Sequence, residues 1–149
     1  MGRYCSASDL YPSLVSETVV AQITNDDASA TTVETAVLAT LIGDAEAEVD
    51  GYLGYRYALP LSSVPHLVTR LSARITRFRL YTSRPGEAEE WLTSDYDNAV
   101  KMLEAIRDGK VSLGLTEAGE DPAAGQSGER AVRSSSQARV FGRTNMGGY

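Results

Sequence analysis

Apolar side chains recur every three to four residues through most of the first 115 positions, which is the spacing of one face of an amphipathic helix. Turn and cap residues divide this pattern into separate segments. The predicted helices cover about residues 8–14, 16–23, 31–54, 63–84 and 85–108. We therefore predict an all-α fold, a small bundle of about four to five helices.

The third predicted helix has the clearest pattern. Thr31 and Glu34 match a capping box, in which Thr31 is the N-cap residue and Glu34 lies at N3. Its apolar stripe consists of Val33, Val37, Leu41, Ala45 and Val49, followed by Tyr52 and Leu53. Its acidic side, which we expect to face solvent, carries Asp44, Glu46, Glu48 and Asp50.

Residues that favour helix ends mark the other boundaries. Ser8 and Asp9 suit the N-cap and the first turn of the first helix. Ser63 suits the N-cap of the fourth helix, with Pro65 in its first turn. Gly109 suits the C′ position after the fifth helix, where a left-handed backbone is common.

Four arginines of the fourth predicted helix fall within about 80° of one another at ~100° per residue. They are Arg70, Arg74, Arg77 and Arg84, and we call them the arginine face. No acidic residue lies between positions 62 and 86, so the helix itself supplies no counter-charge. Three interpretations remain open: the arginines are solvated, they pair with the acidic side of the third helix within the chain or between subunits, or they face nucleic acid.

The composition changes near residue 115. Residues 116–149 contain no Leu or Ile but six Gly, four Ser and five Ala. Such a segment buries too little apolar surface to offset the entropy of ordering it. We therefore assign residues 1–115 to the helical bundle and residues 116–149 to an extended tail that orders on a partner.

The end of this tail keeps apolar side chains among arginines. They are Arg139, Val140, Phe141, Arg143, Met146 and Tyr149. This composition is typical of a docking peptide that orders on a partner, and the alternative is a frayed terminus.

Net charge and the rare residue types exclude several functions. The chain has 149 residues and a formal net charge of −6, which disfavours sequence-independent binding to nucleic acid because that binding neutralises phosphates. One cysteine, Cys5, and one histidine, His66, exclude a disulfide framework and zinc sites that use several of either residue. No phosphate-binding glycine loop or nucleophile elbow is present, so we expect neither enzymatic activity nor a cofactor. Without an apolar run of ~20 residues or a secretory signal, we expect a soluble protein made in the cytoplasm.

Several stretches together resemble a known family. They are residues 50–61 with their tyrosines, the arginine-rich residues 64–85, residues 109–115, and residues 139–143. With these motifs the chain resembles a small structural protein of Mu-like tailed phages and prophages. That family is associated with the head–tail region and is similar to head–tail connector (adaptor) proteins.

The resemblance implies a virion protein of the neck, made in the bacterial host, without enzymatic activity. It implies an all-α bundle that forms a ring of twelve copies beneath the portal protein, with DNA passing through and a stopper or tail-completion protein below. It also implies that a C-terminal segment grips the portal or a neighbouring subunit. On this hypothesis the end of the tail docks on the portal, and the arginine face meets the acidic side of the third helix in the next subunit.

Other functions fit parts of the sequence. The protein is alternatively a tail-completion or stopper component of the neck, a small helical regulator that binds a host protein through its tail, or a DNA-binding regulator. Ring assembly on the portal distinguishes the connector from the helical regulator, and salt-sensitive retention on DNA identifies a DNA-binding regulator.

Overall fold

The structure is a computed structural model that describes residues 2–11, 13–84 and 89–118. Over these residues the regular secondary structure consists of five α-helices. They are α1 (Ala7–Leu10), α2 (Glu17–Asn25), α3 (Thr35–Leu53), α4 (His66–Thr82) and α5 (Glu90–Arg107). The prediction of an all-α bundle is therefore confirmed. None of these five helices combines the length and the apolar character needed to span a lipid bilayer.

The short helices α1 and α2 both begin at a serine. The Asp9 carboxylate accepts hydrogen bonds from the backbone N–H of Ser6 at 2.8 Å and from its hydroxyl at 2.6 Å. The N-cap of α1 is therefore Ser6, and the predicted start at Ser8 is wrong by two residues. Ser16 caps α2 by accepting a hydrogen bond from the N–H of Val19 at 3.4 Å.

Helix α3 begins later than predicted, and its buried face differs from the predicted stripe. The capping box at Thr31 is wrong, because the helix begins at Thr35 and its N-cap side chain makes no capping hydrogen bond. The preceding backbone is instead bound to α2, where the Thr24 hydroxyl accepts from the N–H of Glu34 at 3.1 Å. The buried residues of α3 are Leu38, Ile42, Ala45, Glu46, Val49 and Leu53. The predicted stripe is thus correct in the second half of α3 and one position off in the first half, where Val37 is 41% exposed.

Helix α4 lies at the centre and packs against each of the other four helices. One core cluster joins Leu38 and Ile42 of α3 to Leu80 near the end of α4, together with residues of α1 and α2. The other cluster joins Leu53 of α3 to Val68 near the start of α4, together with residues of α5. Because the start of α3 meets the end of α4, the two helices are antiparallel.

The ends of α4 and α5 differ in how closely they follow the prediction. Helix α4 begins at His66, three residues after the predicted N-cap Ser63, because Pro65 is still in an extended conformation with ψ 144°. The predicted C′ glycine of α5 is confirmed: Gly109 has φ 78°, and its N–H donates to the carbonyl of Ile106 at 3.1 Å.

Residues 110–118 return to the connector between α3 and α4. The buried Tyr57 hydroxyl accepts a hydrogen bond from the N–H of Leu113 at 3.1 Å. Arg56 Nε donates to the Glu117 carboxylate at 2.7 Å, and the N–H of Ala118 donates to the Arg56 carbonyl at 2.8 Å. These contacts extend three residues past the predicted boundary at 115. The rest of the predicted tail lies outside the described residues.

Candidate functional site

Two arginines of the predicted face bind α5. Arg77, whose side chain is 11% exposed, donates to Asp95 at 2.6 Å and to the carbonyl of Leu14 at 3.4 Å. Its guanidinium carbon also lies 5.1 Å from the centre of the Trp91 ring, within cation–π distance. Arg74 lies 3.7 Å from the same Asp95 carboxylate. These two arginines therefore pair with an acid of α5 and not with the predicted acids of α3.

The arginine that does reach α3 was not part of the predicted face. Arg79 donates to Glu48 at 2.7 Å. Arg79 lies four residues after the buried Ile75, so the helical period places both residues on the side of α4 that packs against the bundle. This spacing could have identified Arg79 from the sequence. Arg84, the last member of the predicted face, lies 3.4 Å from Asp26 at the end of α2.

Two of the predicted acids of α3 hold the N-terminal segment. Glu46 is 5% exposed, so the prediction that it faces solvent is wrong. Its carboxylate accepts a hydrogen bond from the backbone N–H of Tyr4 at 2.6 Å. Asp50 pairs with Arg3 at 2.6 Å and also accepts from the Tyr4 hydroxyl. Both carboxylates are therefore engaged within the chain.

The other two acids of α3 differ in accessibility. Glu48, besides binding Arg79, accepts a hydrogen bond from the Tyr96 hydroxyl of α5 at 2.7 Å. Burial, together with this hydrogen bond, raises the pKa of Tyr96 to about 12. Asp44 is exposed, and within the described residues no cation pairs with it. Of the four predicted interface acids, Asp44 is thus the one that remains accessible to a neighbouring molecule.

Arg70 is the corresponding accessible member of the arginine face. It is exposed, and the part of the chain that the structure describes provides no carboxylate in ion-pair distance of it. Arg70 and Arg74 contribute to two separate grooves along α4. The smaller groove, of about 360 Å³, lies beside α1 and is lined also by Ser8, Ser13 and His66.

The larger groove, which we call the basic groove, lies between α4 and α5 and has a volume of about 630 Å³. Its apolar lining consists of Leu67, Leu71, Met102, Ala105 and Val111. Its polar lining consists of Arg70, Arg74, Asn98 and Lys101. Among the described residues that line the groove, every charged side chain is a cation. Apolar surface combined with positive charge suits a partner surface that is both apolar and acidic.

Cys5, the one cysteine of the chain, lies in the core of the bundle. Cys5 is 2% exposed, and its sulfur accepts a hydrogen bond from the Ser72 hydroxyl at 3.3 Å. Burial raises the pKa of the Cys5 thiol, which disfavours the nucleophilic thiolate. Over residues 2–11, 13–84 and 89–118, no three His, Cys, Asp or Glu side chains are grouped as a metal ion would require.

Comparison with known proteins identifies the family. The family model described as Bacteriophage Mu, Gp36 matches residues 4–132. The chain belongs to this family. Gene product J of Escherichia phage Mu is 38% identical over 112 residues, which cover 75% of this chain and 75% of that protein. The Mu-like prophage FluMu protein gp36 of Haemophilus influenzae is 33% identical over 106 residues, 71% of this chain and 70% of that protein. The predicted resemblance to a protein of Mu-like phages is confirmed.

The Gp36 match covers both grooves but not the predicted docking residues of the tail. All five helices lie within residues 4–132. The tail residues Arg139, Val140, Phe141, Arg143, Met146 and Tyr149 lie beyond the matched span and outside the described residues. Their role as docking residues stays a prediction from the sequence.

Proposed function

We propose that this member of the Gp36 family is a head–tail connector (adaptor) that forms a ring between the portal protein and the tail of a Mu-like phage. DNA passes through the ring without sequence-specific binding, and the protein has no catalytic role. Its place in the virion is the neck, above a stopper or tail-completion protein. The observation that carries the proposal is the basic groove, where Arg70, Arg74 and Lys101 have no acidic residue beside them in the lining that the structure describes.

The groove supports an assembly role because its charge is incompletely balanced by the residues that the structure describes. Arg74 shares Asp95 with Arg77, and Arg70 is exposed without an ion-pair partner among the described residues. Charged surfaces of this kind set the register and the specificity of a contact with an oppositely charged protein. In a ring each subunit presents two different faces to its two neighbours, and the contact closes by rotation.

The portal contact is assigned to the end of the tail. Residues 139–149 combine apolar side chains with Arg139 and Arg143 and contain no acidic residue. Repetition of one such weak contact around a ring multiplies it into a stable attachment. Phe141 and Tyr149 are the apolar anchors in this proposal, and the two arginines meet acidic groups of the portal.

The test is to mix the purified full-length protein with the portal oligomer of its phage and to image the mixture by electron microscopy. We expect a second ring on the portal. A Phe141→Ser variant and a chain that ends at residue 129 are compared with it, and circular dichroism checks that each retains the helical content of the full chain. Tyr55→Ser serves as the control, since Tyr55 is 80% exposed and lies far from the tail in sequence.

We expect the Phe141→Ser variant and the shortened chain to lose portal binding and the Tyr55→Ser variant to keep it. If the full-length chain adds no ring to the portal, the connector proposal is wrong. If the shortened chain binds as well as the full chain, the connector role stands but the assignment of the portal contact to the tail is wrong.

A further inference from the structure

The first half of α3 carries a surface stripe of two aliphatic side chains followed along the chain by one carboxylate. At ~100° per residue, Val37, Leu41 and Asp44 fall within about 60° of one another. Val37 is 41% exposed, Leu41 is half-buried at the edge of the core, and Asp44 is exposed. The sequence pattern assigned Val37 and Leu41 to the core, whereas the structure leaves Val37 at the surface and Leu41 at the edge of the core. Asp44, which was expected to face solvent, is exposed. We call these three residues the α3 stripe.

The α3 stripe and the basic groove are complementary in chemistry. The groove presents Leu67, Leu71 and Met102 together with the cations Arg70, Arg74 and Lys101. The stripe presents two aliphatic side chains followed by one carboxylate. Among the described residues Asp44 has no cationic partner and Arg70 has no acidic partner, so each supplies what the other lacks.

The two surfaces lie towards opposite ends of the α3–α4 pair. The basic groove is lined by the first half of α4 and the second half of α5. The first half of α3 packs near the end of α4, because Leu38 and Leu80 belong to the same core cluster. The stripe therefore cannot reach the groove of its own chain without unfolding the bundle. A contact between them joins two different faces of two copies, which is the geometry of a heterologous interface.

We propose that the α3 stripe of one copy occupies the basic groove of the next copy and that this contact builds the ring. Asp44 meets Arg70 and Lys101, while Val37 and Leu41 contact Met102 and the neighbouring aliphatic side chains. This inference rests on the proposed connector function and names the surfaces through which adjacent subunits bind. Glu46, Glu48 and Asp50 take no part in it, because they are engaged within the chain.

Site-directed cross-linking tests this contact. Val37→Cys and Met102→Cys are prepared as two separate proteins, mixed, assembled with the portal oligomer and treated with a short bismaleimide. We expect a cross-linked pair from the mixture and none from either protein alone. The wild-type chain controls for Cys5, which is buried. Thr18→Cys, exposed on α2, replaces Val37→Cys as the matched control and should give no pair with Met102→Cys.

Charge exchange tests the same contact without a cysteine. We expect Arg70→Glu or Asp44→Lys alone to weaken assembly by roughly tenfold or more, because like charges then oppose each other across the interface. The double variant should recover much of the loss, and Arg70→Lys, which keeps the charge, should assemble nearly as well as the wild type. Circular dichroism establishes that each variant is folded.

The outcomes separate this inference from the function on which it rests. If a ring of this chain forms on the portal but Val37→Cys and Met102→Cys give no cross-link, the inference is overturned and the connector function stands. The same holds if the single charge reversals assemble normally. If no ring forms on the portal or in solution, the proposed function fails and the inference fails with it.

Discussion

The backbone N–H of Tyr4 donates a hydrogen bond of 2.6 Å to the carboxylate of Glu46 in the middle of α3. The same carboxylate oxygen accepts a longer hydrogen bond, of 3.4 Å, from the N–H of Cys5. Because Glu46 is 5% exposed, water has little access to replace it as the acceptor. A buried backbone donor that loses its partner is costly, so this side chain fixes the N-terminal segment on the bundle.

We expect Glu46→Ala to lower the free energy of unfolding by about 1–3 kcal/mol, because two backbone donors lose their acceptor. Glu46→Gln should cost less, since its amide oxygen still accepts a hydrogen bond. Urea unfolding followed by circular dichroism measures both. Asp44→Ala, an exposed acid on the same helix, is the control and should change the free energy by less than about 0.5 kcal/mol. Equal losses for Glu46→Ala and Asp44→Ala would contradict the structural role of Glu46.

Arg77 and Arg70 should differ in the same measurement although both were assigned to one face. Arg77 is nearly buried and contacts Asp95, the carbonyl of Leu14 and the Trp91 ring. Arg77→Ala should lower the free energy of unfolding by about 1–3 kcal/mol, because Asp95 loses its closest partner in a partly buried position. Arg70→Ala should change it by less than about 0.5 kcal/mol. If Arg70→Ala were as destabilising as Arg77→Ala, the assignment of Arg70 as an accessible side chain without a structural role would be wrong.

The attachment of residues 117–118 should depend on pH. The hydrogen bond from Arg56 lowers the pKa of Glu117 below its ordinary value of 4.5. A carboxylate with a lowered pKa stabilises the folded state above its ordinary pKa, and this contribution is lost as the pH falls through the lowered value. We therefore expect this contact to be intact at neutral pH and to open below pH 4.5.

Nuclear magnetic resonance of the Ala118 amide measures this opening, since its N–H donates to the Arg56 carbonyl. Hydrogen exchange of that amide should accelerate on acidification below pH 4.5, after correction for the intrinsic pH dependence of exchange. Glu117→Gln removes the titrating group and should abolish the acid-dependent step. If the hydrogen exchange of Ala118 still accelerated on acidification in Glu117→Gln, a different residue would be the titrating group.

The helices were predictable from periodicity, whereas the choice of buried face in α3 was not. Val37 and Leu38 are adjacent, and both continue an apolar pattern along the helix. Packing against α1 and α2 selects Leu38, and no local signal states where those short helices lie. The same limit applies to Glu46, because its buried position depends on backbone donors 42 and 41 residues away in sequence.

The arginine face shows which part of a site is readable from one sequence. The helical period placed Arg70, Arg74 and Arg77 on one side of α4, but only tertiary structure distinguishes the accessible Arg70 from Arg77 bound to Asp95. Gly109 was predictable because a left-handed helix end is a local property of the backbone. Whether the arginines pair with an acid of α3 or of α5 depends on how the helices pack. The sequence around the arginines therefore could not predict their pairing with Asp95 of α5.

The interpretation of the arginine face as a nucleic-acid surface makes a quantitative prediction. The affinity for duplex DNA falls with salt with a logarithmic slope of about −0.9 per phosphate neutralised. Arg74 and Arg77 share Asp95, and Arg84 is paired with Asp26. Among the described residues, Arg70 and Lys101 remain as the accessible cations of this surface. We therefore expect weak binding to DNA, with a slope contributed by this face no steeper than about −2.

Fluorescence anisotropy of a labelled DNA duplex over a series of salt concentrations measures this slope. The wild-type chain is compared with a variant in which Arg70, Arg74, Arg77, Arg84 and Lys101 are all replaced by Gln and whose helical content is checked by circular dichroism. Any contribution of arginines elsewhere in the chain is then common to both. A difference of about 2 or less between the two slopes supports a surface with few free cations. A difference of about 4 to 5, or ~0.9 for each of the five cations, would mean that Arg74, Arg77 and Arg84 exchange their carboxylates for phosphates. The arginine face would then be a nucleic-acid interface instead of the subunit contact proposed above.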